Sequence, residues 1–299
     1  MQRLDYALEI ETSYNRATLP VVSIIIPTYN ESRNIVRLIR LIRSSIDDHF
    51  SAEIIVVDDN SPDKTARIVE GYADSIYQKE NYRQQYSSSY LDVQQIFSVR
   101  VIWRESKAGL VSAVLEGVKN SLGKYILILD ADFSHPPNVI VDMVNELVNS
   151  DYDIVSASRY LEGSQIIGWP LRRRAISKSA TRLARTILGL NQITDPMSGF
   201  FAFKRDIISH ITFNTSGYKL LLEILVKVDN AKVKEIAYTF ADRRSGSSKL
   251  DSRVILDFVK ALIRLYVFKN NKSYRAKLKR QATIGKLRSL SKTRIPVRL

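Results

Sequence analysis

The sequence predicts an α/β fold in which a mainly parallel central sheet is covered by helices on both faces. Over residues 21–158, short apolar runs rich in Val and Ile alternate with amphipathic segments of helical spacing. Such nearly continuous apolar runs are typical of strands that are buried on both faces. Ligands of these sheets bind beyond the carboxyl ends of the strands, so we expect the functional residues to lie there.

Five strands and four helices are predicted in alternating order in this part of the chain. Pro27 ends the first apolar run, and the helix that follows has apolar residues at positions 35, 38, 39, 42 and 46. Ser61 as a cap and Pro62 in the first helical position mark the start of the second helix. The predicted strands cover 21–27, 52–59, 99–104, 125–130 and 152–158, and the predicted helices cover 31–46, 61–73, 108–122 and 136–148.

Two parts of the chain depart from this alternation. Residues 78–97 are rich in Gln, Tyr and Ser without a clear period, which predicts an insertion or a mobile loop before the third strand. After residue 158 the alternation weakens. The segments predicted there are helices at about 174–189, 217–229 and 252–268 and short strands near 200–203 and 232–240.

The last of these helices is amphipathic in an unusual way. In the segment 253–268 its charged residues Asp257, Lys260 and Arg264 form one narrow stripe, and the rest of its surface is largely apolar. A helix of this kind is either packed against protein or half sunk in a bilayer surface, and both can hold for different faces.

Composition excludes several classes of protein. The 299 residues are 45% hydrophobic, which is enough for a sizeable core, and they include no Cys. A disulfide framework, a thiolate metal site and a Cys nucleophile are therefore excluded. The start of the chain has no signal-peptide pattern, and no run reaches the roughly 18 apolar residues of a membrane span. We therefore expect an intracellular protein without a membrane-spanning helix.

The net charge of +14 is concentrated at the C-terminus. Residues 269–299 contain eleven Lys and Arg and no acid, whereas residues 1–268 carry 34 basic and 31 acidic residues. A polycationic tail suits an anionic membrane surface or a nucleic acid, and it is equally consistent with a solvated, flexible extension. Nucleic acid is the weaker candidate because the tail is poor in aromatic residues.

Acidic residues end two of the predicted strands. Asp58 and Asp59 end the second strand, and Asp130 and Asp132 end the fourth. If the two strands are neighbours, all four acids converge on one edge of the sheet, where they would repel one another. A divalent cation, Mg²⁺ or Mn²⁺ bridging substrate phosphates, relieves this repulsion. On an ideal strand Asp130 and Asp132 share a face, although Asp is also a common helix cap and turn residue.

Other catalytic arrangements are not apparent in the sequence. His49, His135 and His210 are scattered and give no metal signature, and no Ser-His-Asp arrangement stands out. The turn PTYNES after the first strand contains no glycine, which excludes a dinucleotide-binding oxidoreductase of similar topology.

Nine motifs, in order from Val21 to about Leu265, carry a resemblance to a known family. The chain resembles family 2 glycosyltransferases and, more narrowly, the dolichyl-phosphate mannosyltransferases among the polyprenyl-phosphate sugar synthases. The motifs are IIIPTYNE (24–31), VVDDNSPDKT (56–65), KAGLVSAVLEG (107–117), LDADFSHPP (129–137), SRY (158–160), GWPLRRRAIS (168–177), DPMSGFFAF (195–203), GYKLLLEIL (217–225) and FADRRSGSSKL (240–250).

The resemblance implies a nucleotide-sugar-binding fold of the GT-A type and a domain organisation. Residues 1–20 would be an N-terminal extension and 21–250 the catalytic domain, followed by the amphipathic helix 251–268 and a flexible basic tail, 269–299. The implied reaction is inverting transfer of mannose from GDP-mannose to dolichyl or another polyprenyl phosphate. Alternatives are glucose transfer from UDP-glucose, or a non-processive family 2 transferase with another acceptor. A processive polysaccharide synthase is disfavoured because spanning helices and a Gln-X-X-Arg-Trp motif are missing from the sequence.

On the donor side, the resemblance assigns roles to residues of the first, second and fourth strand ends. The residues that match the nucleotide-sugar-binding positions of the family are Pro27, Tyr29, Glu31, Asp58, Asp59, Asp130 and Asp132. Asp130 and Asp132 match the Asp-X-Asp motif that holds Mg²⁺ or Mn²⁺ against the diphosphate. Ser134 stands where some relatives have a Gln metal ligand, so a hydroxyl or a water would substitute there.

On the acceptor side, the matched residues are basic or hydroxylic and suit a lipid phosphate. They are Arg159, Arg173, Ser177, Arg243, Ser248 and Lys249. The residues expected to carry the reaction are Asp132, Arg173, Arg243 and Lys249. Arg172 and Arg174 flank Arg173, so the assignment could be displaced by one residue. Asp195 and Glu223 are candidates to orient the sugar hydroxyls by motif position.

The expected location is peripheral, on the cytoplasmic face of a membrane. The acceptor is a long apolar lipid, so we expect the helix 253–268 and the polybasic tail to hold the enzyme at the bilayer. Relatives differ in their means of attachment, and a separate membrane partner subunit is possible.

Overall fold

A seven-stranded sheet organises the protein. The structure, a computed structural model, describes residues 19–47, 49–86, 97–213, 219–242 and 252–271 of the 299. The sheet has the order β3-β2-β1-β4-β7-β5-β8. Its strands are β1 (Val22–Thr28), β2 (Ala52–Asp58), β3 (Phe97–Trp103), β4 (Tyr125–Ile128), β5 (Ile154–Ser158), β7 (Phe201–Lys204) and β8 (Val233–Ala237).

Seven α-helices connect and cover these strands in the described part of the chain. They are α1 (Ile35–Ile46), α2 (Thr65–Tyr86), α3 (Leu110–Lys119), α4 (Val139–Asn149), α5 (Leu171–Leu188), α6 (Leu220–Lys227) and α7 (Ser252–Asn270). No helix in these described ranges is long and apolar enough to cross a bilayer.

The prediction of a mainly parallel α/β sheet is confirmed. β2 and β4 both pair in parallel with β1, and the pairs β2–β3 and β5–β8 are also parallel. Only β7 runs against its neighbours β4 and β5. The chain moves outward from β1 to β3 and then returns to the other side of β1 at β4, which makes the carboxyl ends of β1 and β4 a topological switch point.

Two apolar layers cover the two faces of the sheet. Alternate residues of β1 point to opposite faces, so Ile24 and Ile26 pack in one layer with α1 and α4, while Ile25 packs in the other. The second layer includes buried residues of α3, α5, α6 and α7. Burial on both faces explains the unbroken apolar runs of β1 and β2 in the sequence.

The segment 78–97 differs from the prediction at both ends. Residues 78–86 continue helix α2, and residue 97 begins β3, so the predicted insertion loop can occupy only 87–96, which lie outside the described residues. The reason is that Gln, Lys, Glu and Arg are good helix formers, so a helix can continue through a segment whose sequence shows no apolar period. The extension 1–20 and the tail 269–299 lie almost wholly outside the described ranges.

Two short strands form a second sheet that the sequence did not predict as such. β6 (Gln165–Ile167) pairs in parallel with β9 (Thr239–Ala241). The predicted strand 232–240 is in fact divided at Tyr238 into β8 and β9. Three-residue strands are too short to show a period, and this pair places Trp169, Phe240 and Asp242 beside a cavity at the carboxyl end of β4.

Candidate active site

A cavity of about 260 Å³ opens at the carboxyl end of β4. Its walls come from separate parts of the chain, namely the loop after β4, the start of α3, the residues after β5 and the loop before β7. Trp169, the start of α5, the start of α6 and the end of β9 also contribute to the lining. Polar and charged residues of the lining are Asp130, Asp132, Ser134, His135, Arg159, Arg173, Ser198, Lys219 and Asp242.

The acidic loop after β4 is a tight turn and not a continuation of the strand. β4 ends at Ile128, so the expectation that Asp130 and Asp132 share the face of an ideal strand is wrong. The backbone N–H of Ser134 donates to Asp132 Oδ1 at 3.0 Å, and Phe133 has a φ of 63°. A bulky residue in the left-handed region is uncommon and strained, and such strain concentrates at functional sites.

His135 supports this loop from below. Its ring is 2% exposed and stacks on Phe200 with ring centroids 5.0 Å apart. The backbone N–H of Asp130 donates to His135 Nδ1 at 2.9 Å, which places the ring proton on Nε2, 4.0 Å from Asp130 Oδ2. Burial lowers the pKa of His135 against the opposing effect of Asp130. The imidazole is therefore a neutral support for Asp130, a role that the sequence analysis missed.

The predicted gathering of four acids around one cation is wrong. β1 lies between β2 and β4, and Asp58 and Asp59 do not line the cavity. In the described ranges no group of three or more His, Cys, Asp or Glu residues is arranged to hold a metal. Asp130, Asp132 and Ser134 nevertheless give hard oxygen donors in one turn. Two carboxylates with few other protein ligands fit Mg²⁺ or Mn²⁺ that is completed by water and substrate phosphate.

Asp58 has a structural environment. Its side chain accepts hydrogen bonds from Thr28 Oγ1 at 2.9 Å, from Ser61 N at 2.8 Å and from Ser61 Oγ at 2.6 Å. It is 2% exposed and ties β1 to the turn after β2. These hydrogen bonds explain why the Asp58 carboxylate can be buried, and no ligand is needed to explain it. The predicted contact of Asp58 with the nucleotide stays a prediction.

Asp59 lies in a second charged cluster, at the ends of β2 and β3. Arg104 Nη1 donates to Asp59 Oδ1 at 2.5 Å, and Gly109 N donates to Asp59 Oδ2 at 2.9 Å. Arg104 Nη2 also donates to Ser112 Oγ at 2.6 Å, on α3. Gly109 has a φ of 93°, which favours glycine at this position before α3. Arg104 was not predicted, because nothing in the sequence links residues 45 positions apart.

The other donor-side candidates surround the carboxyl end of β1. Tyr29 is 40% exposed, and Lys107 Nζ lies 3.4 Å from the centroid of its ring, so the phenol and the ammonium form a cation–π pair. Pro27 is buried in β1. Glu31 accepts a hydrogen bond from Asn34 Nδ2 at 2.7 Å, and its backbone N–H donates to Thr65 Oγ1. An exposed aromatic ring with an adjacent cation is suited to a nucleobase.

On the acceptor side, Arg159 lines the cavity and is fixed by Asp195. Arg159 Nε and Nη2 donate to the two carboxylate oxygens of Asp195 at 2.7 and 2.9 Å. Burial alone would lower the pKa of Arg159, but the Asp195 carboxylate outweighs it and raises this pKa. Because Arg159 engages both carboxylate oxygens, Asp195 positions the guanidinium, and the structure does not support the predicted orientation of sugar hydroxyls by Asp195.

Arg173 is the residue of its Arg triplet that lines the cavity. Its Nη1 donates to Asp242 Oδ2 at 2.7 Å, and its guanidinium lies 4.3 Å from the Trp169 ring centroid. Arg174 donates to the Ile166 carbonyl, and Arg172 is exposed. Neither neighbour lines the cavity, so the structure favours Arg173 within the triplet.

Several predicted residues lie outside the cavity wall or outside the described ranges. Ser177 accepts a hydrogen bond from Tyr160 Oη at 2.7 Å and does not line the cavity. Glu223 is buried in α6 and pairs with Lys227 Nζ at 2.5 Å, so its predicted contact with a sugar is not supported. Arg243, Ser248 and Lys249 fall in 243–250, outside the described residues, and their roles stay predictions.

The fold and the cavity together define a class of enzyme. A switch point that presents two acids and two fixed guanidinium groups suits a substrate that carries phosphates, and the GT-A type fold predicted from the motifs is confirmed by its solved neighbours. Glucosyl-3-phosphoglycerate synthase from Mycobacterium tuberculosis, in complex with Mn²⁺, UDP-glucose and phosphoglyceric acid, superposes with a TM-score of 0.58 at 18% identity. This alignment covers 87% of this chain and 83% of that one.

The chain belongs to glycosyl transferase family 2, whose sequence profile matches residues 23–212. It is a glycosyltransferase. It is 38% identical over 245 residues to a dolichol-phosphate mannosyltransferase from Pyrococcus furiosus, which covers 82% of this chain but only 63% of that relative. A dolichol-phosphate mannosyltransferase from Saccharomyces cerevisiae is 33% identical over 258 residues, covering 83% of this chain and 87% of the relative.

Proposed function

We propose that this protein transfers mannose from GDP-mannose to dolichyl or another polyprenyl phosphate, with inversion at the anomeric carbon. The observation that carries the proposal is that Asp130 and Asp132 share one cavity with Arg159 and Arg173. An acidic turn and two guanidinium groups so close together suit a donor diphosphate and an acceptor phosphate that meet in one place. The dolichol-phosphate mannosyltransferases that match 82% and 83% of this chain support the choice of sugar and lipid.

This reaction does not require a general base in the cavity. A phosphate acceptor is already ionised at neutral pH, so its oxygen attacks without losing a proton. His135, the only imidazole among the described residues of the lining, is buried, and its Nδ1 accepts a hydrogen bond from the Asp130 backbone N–H. Rate acceleration would then come from orientation of the two substrates and from stabilisation of charge.

Arg159 and Arg173 are the acceptor-side residues in this proposal. Arg159 is held rigidly by Asp195 and keeps its Nη1 N–H groups for a phosphate oxygen. Arg173 is packed on Trp169, and a phosphate would compete with Asp242 for its guanidinium. Planar, preoriented guanidinium groups bind phosphate through paired N–H donors, so these two residues would fix the direction of attack.

On the donor side, Asp130 and Asp132 would hold Mg²⁺ or Mn²⁺, with the Ser134 hydroxyl as a further donor. When bound, the cation would neutralise charge on the leaving nucleoside diphosphate. His135 keeps Asp130 in position, and Tyr29 with Asp59 would contact the nucleoside. Hard oxygen ligands and a preorganised turn support this assignment.

Incubation with radiolabelled GDP-mannose, dolichyl phosphate and either cation, followed by solvent partition, tests the proposal. We expect label in the lipid phase, no label after EDTA treatment, and restoration by added Mg²⁺ or Mn²⁺. Asp132→Asn should abolish transfer, whereas Asp151→Asn, at an exposed position outside the cavity, should not. Label transferred from UDP-glucose and not from GDP-mannose would overturn the proposed donor.

We also propose that the enzyme sits on the cytoplasmic face of a membrane through helices α5 and α7 and the basic tail. One face of α7 is packed on the protein, with Leu262, Leu265 and Phe268 buried. Of the two predicted environments for this helix, protein packing therefore applies to this face. The opposite face exposes Ile255, Leu256, Val259, Ile263, Tyr266 and Val267. Helix α5, in contact with α7, exposes Ile176, Leu183 and Ile187 and carries Arg173.

An apolar surface next to cations has the chemistry of a bilayer boundary with anionic headgroups. Each Lys or Arg near such a surface contributes about 1 kcal/mol, so part of the tail would be enough to matter. The arrangement would also bring the helix that carries Arg173 close to the lipid acceptor.

Flotation of the full chain with vesicles that contain anionic phospholipid tests this attachment. Replacing Val259 and Ile263 by Ser should reduce recovery in the lipid fraction. Val148→Ser is the matched control, because Val148 is 46% exposed on the separate helix α4. Equal recovery of all three proteins at low salt would refute a membrane contact through α7.

A further inference from the structure

Lys219 is a cavity residue to which neither the motifs nor the proposed chemistry assigns a role. It directly precedes α6 and lines the cavity together with Asp130, Arg159 and Arg173. All residues of α6 from Leu220 to Val226 are buried, so the backbone that carries Lys219 is anchored in the core. A side chain that projects from such a fixed helix start is well placed to contact a ligand.

The other cations of the cavity already have partners. Arg159 is paired with Asp195, and Arg173 is paired with Asp242. Within the described ranges, Lys219 makes no hydrogen bond and no ion pair, although the charges of Asp195 and Asp130 act on it from a distance. Lys219 is therefore the cavity cation most available to an incoming group.

A partly buried lysine whose ammonium has no direct partner among the described residues is unfavourable in the absence of a ligand. Burial lowers the pKa of Lys219, and Arg159 adds to this effect. An anionic ligand would remove the penalty by giving the ammonium a charge-assisted hydrogen bond. A phosphate oxygen suits the lysine best, because the ammonium acts as a compact point charge and can direct three N–H donors to it.

We propose that Lys219 is a phosphate-binding residue of this cavity, whose ammonium donates to a non-bridging phosphate oxygen of a substrate. The inference rests on the proposed function, and it specifies that a third cation, beside Arg159 and Arg173, serves the phosphates. The phosphate belongs either to the nucleoside diphosphate or to the lipid acceptor, since both enter this cavity in the proposed reaction.

The test is to measure ligand binding by Lys219→Gln and Lys219→Arg. The probes are GDP with Mg²⁺, farnesyl phosphate, and farnesol, which has the same chain without the phosphate. We expect Lys219→Gln to weaken binding of GDP or of farnesyl phosphate by roughly 10- to 100-fold, the range for a hydrogen bond to a charged group. Binding of farnesol should not change, and Lys219→Arg, which keeps the charge, should restore part of the loss.

The two arms identify the source of the phosphate. Loss of GDP affinity alone assigns Lys219 to the donor, and loss of farnesyl phosphate affinity alone assigns it to the acceptor. Lys232→Gln is the matched control, because Lys232 is an exposed lysine paired with Asp151 and does not line the cavity. The melting temperature of Lys219→Gln should equal or exceed that of the wild type, and Lys219→Met provides a second, apolar replacement.

Unchanged affinity of both Lys219→Gln and Lys219→Met for GDP and for farnesyl phosphate would overturn the inference. An equal loss of affinity for these ligands in the control variant Lys232→Gln would also overturn it. Failure of the proposed function is distinguishable, because it would appear as the absence of mannose transfer by the wild-type protein. Normal mannose transfer by the wild type, combined with unchanged binding in the variants, would overturn only the role of Lys219.

Discussion

Replacing Asp195 by Asn tests whether this carboxylate positions Arg159 or orients the sugar. Asp195 is fully buried and accepts hydrogen bonds from Arg159 Nε, Nη2 and backbone N at 2.7, 2.9 and 3.2 Å. The Arg159 side chain is only 11% exposed, so water cannot replace the lost charge. The amide of Asn keeps the shape of the carboxylate but turns one of its two acceptors into a donor that faces the guanidinium.

The cost follows from this geometry. With an effective dielectric constant of about 20, opposite charges near 3 Å apart attract by roughly 5 kcal/mol, from which the desolvation of both groups is subtracted. Removing one partner of a buried pair costs about 3–5 kcal/mol, because the remaining charge is left uncompensated. In a domain of this size each kcal/mol lowers Tm by about 2–4 °C, so we expect a decrease on the order of 10 °C.

Urea unfolding of Asp195→Asn, Arg159→Met and the double variant measures the coupling directly. The double variant should be more stable than the sum of the two losses predicts, with a coupling free energy above about 2 kcal/mol. Asp151→Asn, at an exposed pair, should lose less than about 1 kcal/mol. If Asp195→Asn unfolds like the wild type yet loses mannose transfer, the positioning role is wrong and a direct contact with the sugar is favoured.

Two further predictions concern the acidic loop and the start of α2. Gly199→Ala would place a Cβ 3.3 Å from His135 Cε1 and 3.4 Å from Asp130 Oδ2, so transfer rates should fall about tenfold; Gly71→Ala, with nothing within 4 Å, is the control. Burial would raise the pKa of Asp63, but hydrogen bonds from Thr65 and Ser32 outweigh it and lower this pKa below 3.8. Asp63→Asn should therefore be less stable than the wild type by about 1 kcal/mol at pH 7, and urea unfolding should show this difference disappear as the pH falls through the lowered pKa of Asp63.

The sheet was predictable where burial on both faces left its mark on the sequence. The runs that form β1, β2 and β4 are apolar because every residue of these strands is covered. The same reasoning failed for β6 and β9, since three residues give no period, and for the second half of α2, whose polar sequence resembles that of a loop. Local periodicity reports burial, and it says little about elements that are short or exposed.

The charged residues that line the site were predictable from the sequence, but several residues that hold site residues in position were not. Asp130, Asp132, Arg159 and Arg173 were recognised because they stand in dense motifs. Two supporting residues were missed: Arg104, which lies 45 positions from its partner Asp59, and His135, whose stacking on Phe200 depends on the folded chain. Pairings of this kind are set by sheet order, which a single sequence does not encode locally.

Sheet order also explains why two similar acid pairs have different environments. Because β1 separates β2 from β4, the Asp58 carboxylate lies against Thr28 of β1 and accepts hydrogen bonds within the fold. Asp130, in the turn after β4, lines the cavity, and its side chain is 41% exposed. A partly exposed carboxylate that lines a cavity can be approached by a cation, whereas a buried one that accepts several N–H and O–H donors would have to lose them first. The position of each acid beyond its strand therefore decides whether it supports the fold or faces the substrate.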